Sequence, residues 1–142
     1  MKTVVITLAA MLAASSCAGS ATGAAAPLVG GEWVVEDING GGVIDNSRAS
    51  LMFGEDGRVS GMSSCNSYGA EYVLTGEGLT FGLTAATLRA CAPALMDQER
   101  KFFDTLAKVS GFSIDDTGAL ILTAPDGGRI LARRKLRSLQ PF

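Results

Sequence analysis

The sequence predicts a mainly β domain carrying one α-helix: an antiparallel, barrel-like curled sheet with a single amphipathic helix packed on it. Two features predict the sheet. Short runs alternate apolar and polar residues, and Asp-Gly-type turns separate them. A third predicts the helix, because only one segment switches to helical spacing.

The first run, Glu32 to Ile38, puts Trp33 and Val35 on one face. Arg48 to Phe53 turns Ala49, Leu51 and Phe53 inward, and Glu55-Asp56-Gly57 joins it as a hairpin to Arg58 to Met62. Tyr68 to Leu74 and Leu79 to Leu83 flank Thr75-Gly76-Glu77-Gly78. Phe112 to Ile114, Ala119 to Thr123 and Arg129 to Arg133 complete the set, with Pro125-Asp126-Gly127-Gly128 among their turns. Strands this short and evenly spaced curl into a sandwich or partial barrel.

The helical segment runs from Ala94 to Val109, with Leu95, Met96, Phe102, Phe103, Leu106 and Val109 as its apolar stripe. Pro93 suits the first turn, Asp97 and Glu99 suit the positive end, Lys108 suits the negative end and Gly111 can stop it. The Phe102/Phe103 stripe reads either as a ligand groove or as a face packed on the sheet. The packed face is the expectation.

Ahead of the domain, Lys2 and the apolar run Val4 to Leu12 form a leader too short to anchor in a bilayer but suited to a signal peptide. Ala14-Ser15-Ser16-Cys17 resembles a lipobox, which would make Cys17 an acylated N-terminus. Ordinary cleavage after Cys17 is the alternative. Ala18 resembles the residue that sorts such lipoproteins to the outer membrane. The expected organisation is a signal peptide over 1–17, an Ala/Gly linker over 18–27, one domain over 28–137 and a tail over 138–142.

Composition narrows the chemistry. The 142-residue chain has a formal charge of −2, which gives no footprint for nucleic acid. It has no histidine, so Ser-His-Asp and Cys-His catalysis are excluded along with the commonest metal ligand. Carboxylate-pair and Lys-Ser chemistry stay formally open, but the acidic residues sit mostly in turns such as Asp115-Asp116-Thr117-Gly118. Gly40-Gly41-Gly42 reads as a flexible turn rather than a phosphate loop. No cofactor or metal is expected, and no catalytic residue stands out.

Beyond Cys17, only Cys65 and Cys91 remain. An even pair in an exported chain predicts a disulfide between them, tying a central strand to the start of the helix and stabilising the domain by roughly 3–4 kcal/mol. A redox-active pair would sit closer in sequence, as in Cys-x-x-Cys.

The same residues carry a resemblance. Gly61-Met62-Ser63-Ser64-Cys65-Asn66-Ser67-Tyr68-Gly69-Ala70-Glu71-Tyr72 resembles the Gly…Cys-Asn-x-aromatic…Tyr signature of the META domain family, which includes HslJ-like heat-shock proteins. Thr87-Leu88-Arg89-Ala90-Cys91 with Met96, Glu99 and Leu106 resembles its second block, and Trp33 with Ile38-Asn39-Gly40 its opening strand and turn. Ala70 stands where the family usually has Gly, and Arg89 where it often has Met. The resemblance implies a β-barrel-like fold with one helix, frequently as an envelope lipoprotein linked to stress, and no defined reaction.

Each motif residue has a packing reading and a binding reading. Asn66 satisfies backbone groups at a turn, Tyr68 and Tyr72 are half-buried with wet hydroxyls, and Glu99 bonds to a strand or cap; in the other reading they rim a peptide or lipid groove. Structure is the expectation for all four. Arg129, Arg133, Arg134, Lys135 and Arg137 read as a solvated strand and tail, or as contacts to anionic headgroups. The functional expectation is therefore a non-enzymatic, monomeric envelope lipoprotein that binds a protein or lipid and sits on the membrane through Cys17. A small exported hydrolase or protease-inhibitor-like protein is the alternative.

Overall fold

The computed structural model describes residues 25–135. The signal peptide, Cys17, most of the linker, Arg137 and the tail lie outside these residues.

Among the described residues, nine strands and one long helix follow in the order β1 (Glu32–Ile38), β2 (Ser50–Phe53), β3 (Arg58–Met62), β4 (Ser67–Thr75), β5 (Gly78–Phe81), β6 (Ala85–Ala86), α1 (Pro93–Leu106), β7 (Gly111–Ile114), β8 (Ala119–Thr123) and β9 (Arg129–Arg134). Strands β1 to β5 form a meander, and β7 to β9 continue it. Strand β9 pairs with β1 through Val35↔Ala132 and Ile38↔Ile130, and β5 meets β7 at Gly78↔Gly111. These contacts close eight strands into an antiparallel barrel with the helix packed on it. The predicted architecture is what the chain adopts.

Strand alternation fills the interior. Trp33, Leu51, Phe53, Val59, Ala70, Leu79, Leu120, Leu122 and Ile130 are all buried. A register shift between Val35 and Asp37 lets Ile38 face inward as well, three residues after Val35. Ala70 lies in a regular stretch of β4 opposite Val59, so the family's glycine is not needed at that position.

The helix differs from its sequence reading in three ways. It starts at Pro93, as the fixed φ of proline favours, but ends at Leu106, so Lys108 and Val109 lie beyond it and Gly111 opens β7. No acidic side chain sits in its first turn. Its buried stripe is Gln98, Glu99, Phe102, Thr105 and Leu106, while Leu95, Met96 and Phe103 are only half-buried. Phe102 and Leu106 supply the apolar grip, about 1.5–3 kcal/mol each on full burial. The helix packs beside the C-terminal end of β1 and the N-terminal end of β9.

Strand β6 has no counterpart among the predicted strands. It adds to the edge of β4 through Tyr68↔Ala86 and Gly69↔Ala85, just beyond the part of β4 that β5 covers.

Candidate functional site

The family motif converges on the turn between β3 and β4. Ser63, Cys65 and Asn66 are buried there, and Ser64 holds a φ of 92°, a strained conformation for a residue with a side chain. Several contacts fix the strain. The Ser64 N–H donates to Arg48 O at 2.9 Å, and the Ser64 Oγ accepts from Gln98 Nε2 at 2.7 Å.

Glu99 reaches this turn from α1. Its Oε2 accepts from Ser63 Oγ at 2.6 Å and from the Asn66 N–H at 2.9 Å, and its Oε1 accepts from Asn66 Nδ2 at 2.9 Å. Burial pushes its carboxyl upward in pKa, and the hydrogen bonds from Ser63, Asn66 and the Cys65 backbone overrule that, so the net shift is downward. Glu99 is thus an ionised acceptor with its donors in place, the opposite of a carboxyl kept protonated for acid catalysis.

Asn66 passes the network on to the chain before the helix. Its Oδ1 accepts from the Arg89 N–H at 2.7 Å and from Thr87 Oγ1 at 3.0 Å, and Arg89 Nη2 returns a bond to Cys65 O at 2.9 Å. Cys65 and Cys91 form a disulfide with a Cα–Cα distance of 5.9 Å. It ties the β3–β4 turn, rather than a strand proper, to the residues just before α1. Beside it, Gly61 lies so close to Ser50 that a Cβ would come within 2.1 Å of the Ser50 carbonyl oxygen. Only glycine fits there.

The tyrosines correct their sequence reading. Both residues are buried rather than half-buried; the Tyr68 hydroxyl is enclosed and donates to Ser50 O at 2.9 Å, while the Tyr72 hydroxyl, at the barrel's margin, donates to Gly54 O at 2.6 Å. Burial raises both phenols in pKa, with Asp56 and Glu55 adding to the effect at Tyr72. Tyr68 also meets Phe102 and Phe103 edge-on, at 5.4 and 5.6 Å between ring centres. The Phe102/Phe103 stripe is therefore packing.

The structure gathers Gly61, Cys65, Asn66, Tyr68, Thr87, Cys91 and Glu99 into one knot. Trp33 and Tyr72 lie apart from it in the barrel wall, and Met96 is half-buried on the helix. Trp33 Nε1 donates to Leu28 O at 2.8 Å, and the Arg134 guanidinium lies 4.4 Å from its ring centre. Gln98 is the knot member that sequence reasoning missed. It takes the Ile44 N–H at 2.7 Å and donates to Ser47 and Ser64. Its signal was two adjacent polar residues, Gln98 and Glu99, in step with Phe102, Thr105 and Leu106 on one helical face.

The C-terminal basic residues are engaged within the domain. Arg133 pairs with Glu36 at 3.0 Å, Lys135 with Glu32 at 3.7 Å and Arg129 with Asp37 at 4.0 Å. Arg134 donates to Pro27 O at 2.6 Å and Val29 O at 3.1 Å.

No cluster of potential metal ligands occurs among the described residues, and none of their buried side-chain nitrogen or oxygen atoms lacks a hydrogen-bond partner. Among them, no helix is long and apolar enough to cross a membrane.

A closed antiparallel barrel, with its helix fastened to a Cys-Asn turn by one buried glutamate and one disulfide, defines the class. The META domain model matches residues 26–136, and the chain belongs to that family. In fold it is similar to a protein from Burkholderia xenovorans solved by NMR, with a TM-score of 0.65 and 18% identity over 96% of this chain and 100% of that one. A second NMR structure is similar with a TM-score of 0.55 and 28% identity, covering 72% of this chain and 87% of that one. No curated protein matches the chain.

Proposed function

We propose that this META-domain protein is an exported envelope lipoprotein, acylated at Cys17, that serves as a non-enzymatic stress-response or interaction module on the periplasmic side of the outer membrane. One observation carries the non-enzymatic reading: Glu99, the buried carboxylate of the motif, is spent on Ser63 and Asn66. The lipobox-like Ala14-Ser15-Ser16-Cys17 supports the anchor, and Ala18 supports outer-membrane sorting. The internal pairing of Arg129, Arg133 and Lys135 favours a protein partner over anionic headgroups.

Metabolic palmitate labelling tests the anchor: incorporation is expected in the wild type and lost in Cys17→Ser. Equal labelling of both, or a mature N-terminus beyond Cys17, would sink it. The binding reading fails if a Glu99→Gln protein that is folded and correctly located loses function completely while the wild type turns over a substrate.

A further inference from the structure

The residues from Gly82 to Ala90 are all exposed, and Leu88 is 99% exposed. They are nonetheless tightly held. The disulfide fixes one end, Asn66 binds Thr87 and Arg89, and β4 pairs with Ala85 and Ala86. A segment pinned this firmly has little entropy left to lose on meeting a partner.

Its backbone is laid out for another strand. Phe81 lies opposite Tyr72 but Ala85 lies opposite Gly69, so one extra residue separates β5 from β6 and gives β6 its own register. The Thr87 N–H donates to Ser67 O at 3.0 Å and the Arg89 N–H to Asn66 Oδ1 at 2.7 Å, so both face β4 and the turn before it. By antiparallel alternation, the N–H and C=O of Ala86 and Leu88 face away. No strand lies beside that outer edge among the described residues.

The side chains narrow the occupant. Leu88 offers bare apolar surface. Next to it, Arg89 donates from Nη2 to Cys65 O but forms no ion pair among the described residues. We infer that the outer edge of β6 captures an extended segment of an envelope protein as an added strand, with an apolar residue opposite Leu88 and an acidic one opposite Arg89.

Two other occupants fit less well. A second copy centred on Ala86 would set Leu88 against Thr84 and supply no acid for Arg89. A bilayer would strip water from the N–H and C=O of Ala86 and Leu88 and give them no partner. The linker also joins the barrel at Pro27 to Val29, beside β1 and β2, and β1 and β5 stand on opposite walls of the ring. Because β6 continues the line of β5 along β4, an anchor at Cys17 attaches on the wall away from this edge. That last point rests on acylation at Cys17, whereas the open edge does not, so palmitate labelling and strand capture fail independently. One added strand is small beside the ~1,200 Å² of a stable interface, so the contact is weak and reversible.

The test uses the full-length lipidated chain in nanodiscs and a capped synthetic peptide, Asp-Val-Thr-Val-Thr-Val, with hydrogen exchange read by mass spectrometry over residues 82–92. Excess peptide should slow exchange there about tenfold. Methylating the amide nitrogens of the peptide's second and fourth residues, which face β6, should abolish the effect; methylating the third and fifth, which face away, should not. Replacing the peptide's Asp with Lys should weaken binding about threefold, and Arg89→Glu, with the Cys65–Cys91 bond verified by thiol counting, should reverse that preference. No slowing, or equal slowing by both methylated peptides, would overturn the inference. So would protection without peptide, whether it rises with protein concentration, as for a second copy, or appears only in nanodiscs and not in detergent, as for a bilayer.

Discussion

The two ends of the barrel are held by polar contacts of opposite character. At the helix end, Ser63, Asn66, Gln98 and Glu99 are buried and their hydrogen bonds run inward. At the other end, where β1 begins and β9 finishes, Arg48, Arg133 and Lys135 pair with Glu32 and Glu36 while their own side chains stay about half exposed. The two sets of contacts also differ in what each contact is worth. Solvent and salt screen the exposed pairs to about 1 kcal/mol or less, whereas a buried group stripped of its partner keeps its whole desolvation cost. Stability of the fold therefore depends on the helix end.

The sharpest way to break that asymmetry is Glu99→Ala. It strands the buried Asn66 N–H, leaves the Asn66 amide only a long bond to Arg89 O at 3.4 Å and the Ser63 hydroxyl only Asn66 O at 2.8 Å, and should cost about 3–5 kcal/mol by denaturant unfolding. A loss under about 1 kcal/mol would show that water replaces the carboxylate and that the knot is not buried in solution. Glu99→Gln adds a pH test. The folded pKa of Glu99 is lowered from 4.5, so its stabilisation is fully present above pH 4.5 and is lost as pH falls through the folded value. The Gln variant should be less stable at neutral pH and should show a shallower decline in acid. An unchanged acid slope would mean that other carboxylates govern it.

Cys91→Ala comes next, at roughly 3–4 kcal/mol from the lost crosslink. Cys65→Ala should cost slightly more, because Cys65 is 1% exposed and its removal also leaves a void. Equal Tm for wild type and both variants, read under non-reducing conditions, would contradict the bond.

The smallest effects belong to the far end. Arg134→Ala removes the bonds to Pro27 O and Val29 O and the cation–π contact with Trp33, and should cost about 1–2 kcal/mol. Arg133→Ala should cost about 0.5 kcal/mol or less, and less still in high salt. If Arg133→Ala cost more than Arg134→Ala, the contrast between screened and partly buried contacts would fail.

What the sequence made legible follows the same division. The strand β8 matches its predicted bounds because Asp-Gly turns flank an alternating run on both sides. Strand β6 was illegible because Ala85 and Ala86 bury nothing, and they are positioned by pairing with Tyr68 and Gly69 on a distant strand. The helix face was read from Leu95, Met96, Phe102, Phe103, Leu106 and Val109; Phe102 and Leu106 are on the buried stripe, yet that stripe also includes Gln98 and Glu99. Their partners lie on another element, and local periodicity carries no trace of them. Closure of β1 on β9 joins the two ends of the domain, a pairing that no window of local sequence contains. The disulfide was legible from the count of cysteines, whereas the direction of the tyrosine hydroxyls depended on carbonyls of β2 and the turn after it.

The β5–β7 junction has a consequence for motion. Every other neighbouring pair around the ring shares at least two register positions, but this one rests on Gly78↔Gly111, with the Leu79 N–H donating to Ser110 O and the Phe112 N–H to Glu77 O, each at 3.1 Å. A ring with one thin link does not loosen evenly. Its lowest-energy excursion is to part there and become an open, curled ribbon, with the other strands still in register. Amide hydrogens at Leu79 and Phe112 would exchange with solvent well before those of β8 and β9, so the thermal history of this barrel begins at one chord rather than around its rim.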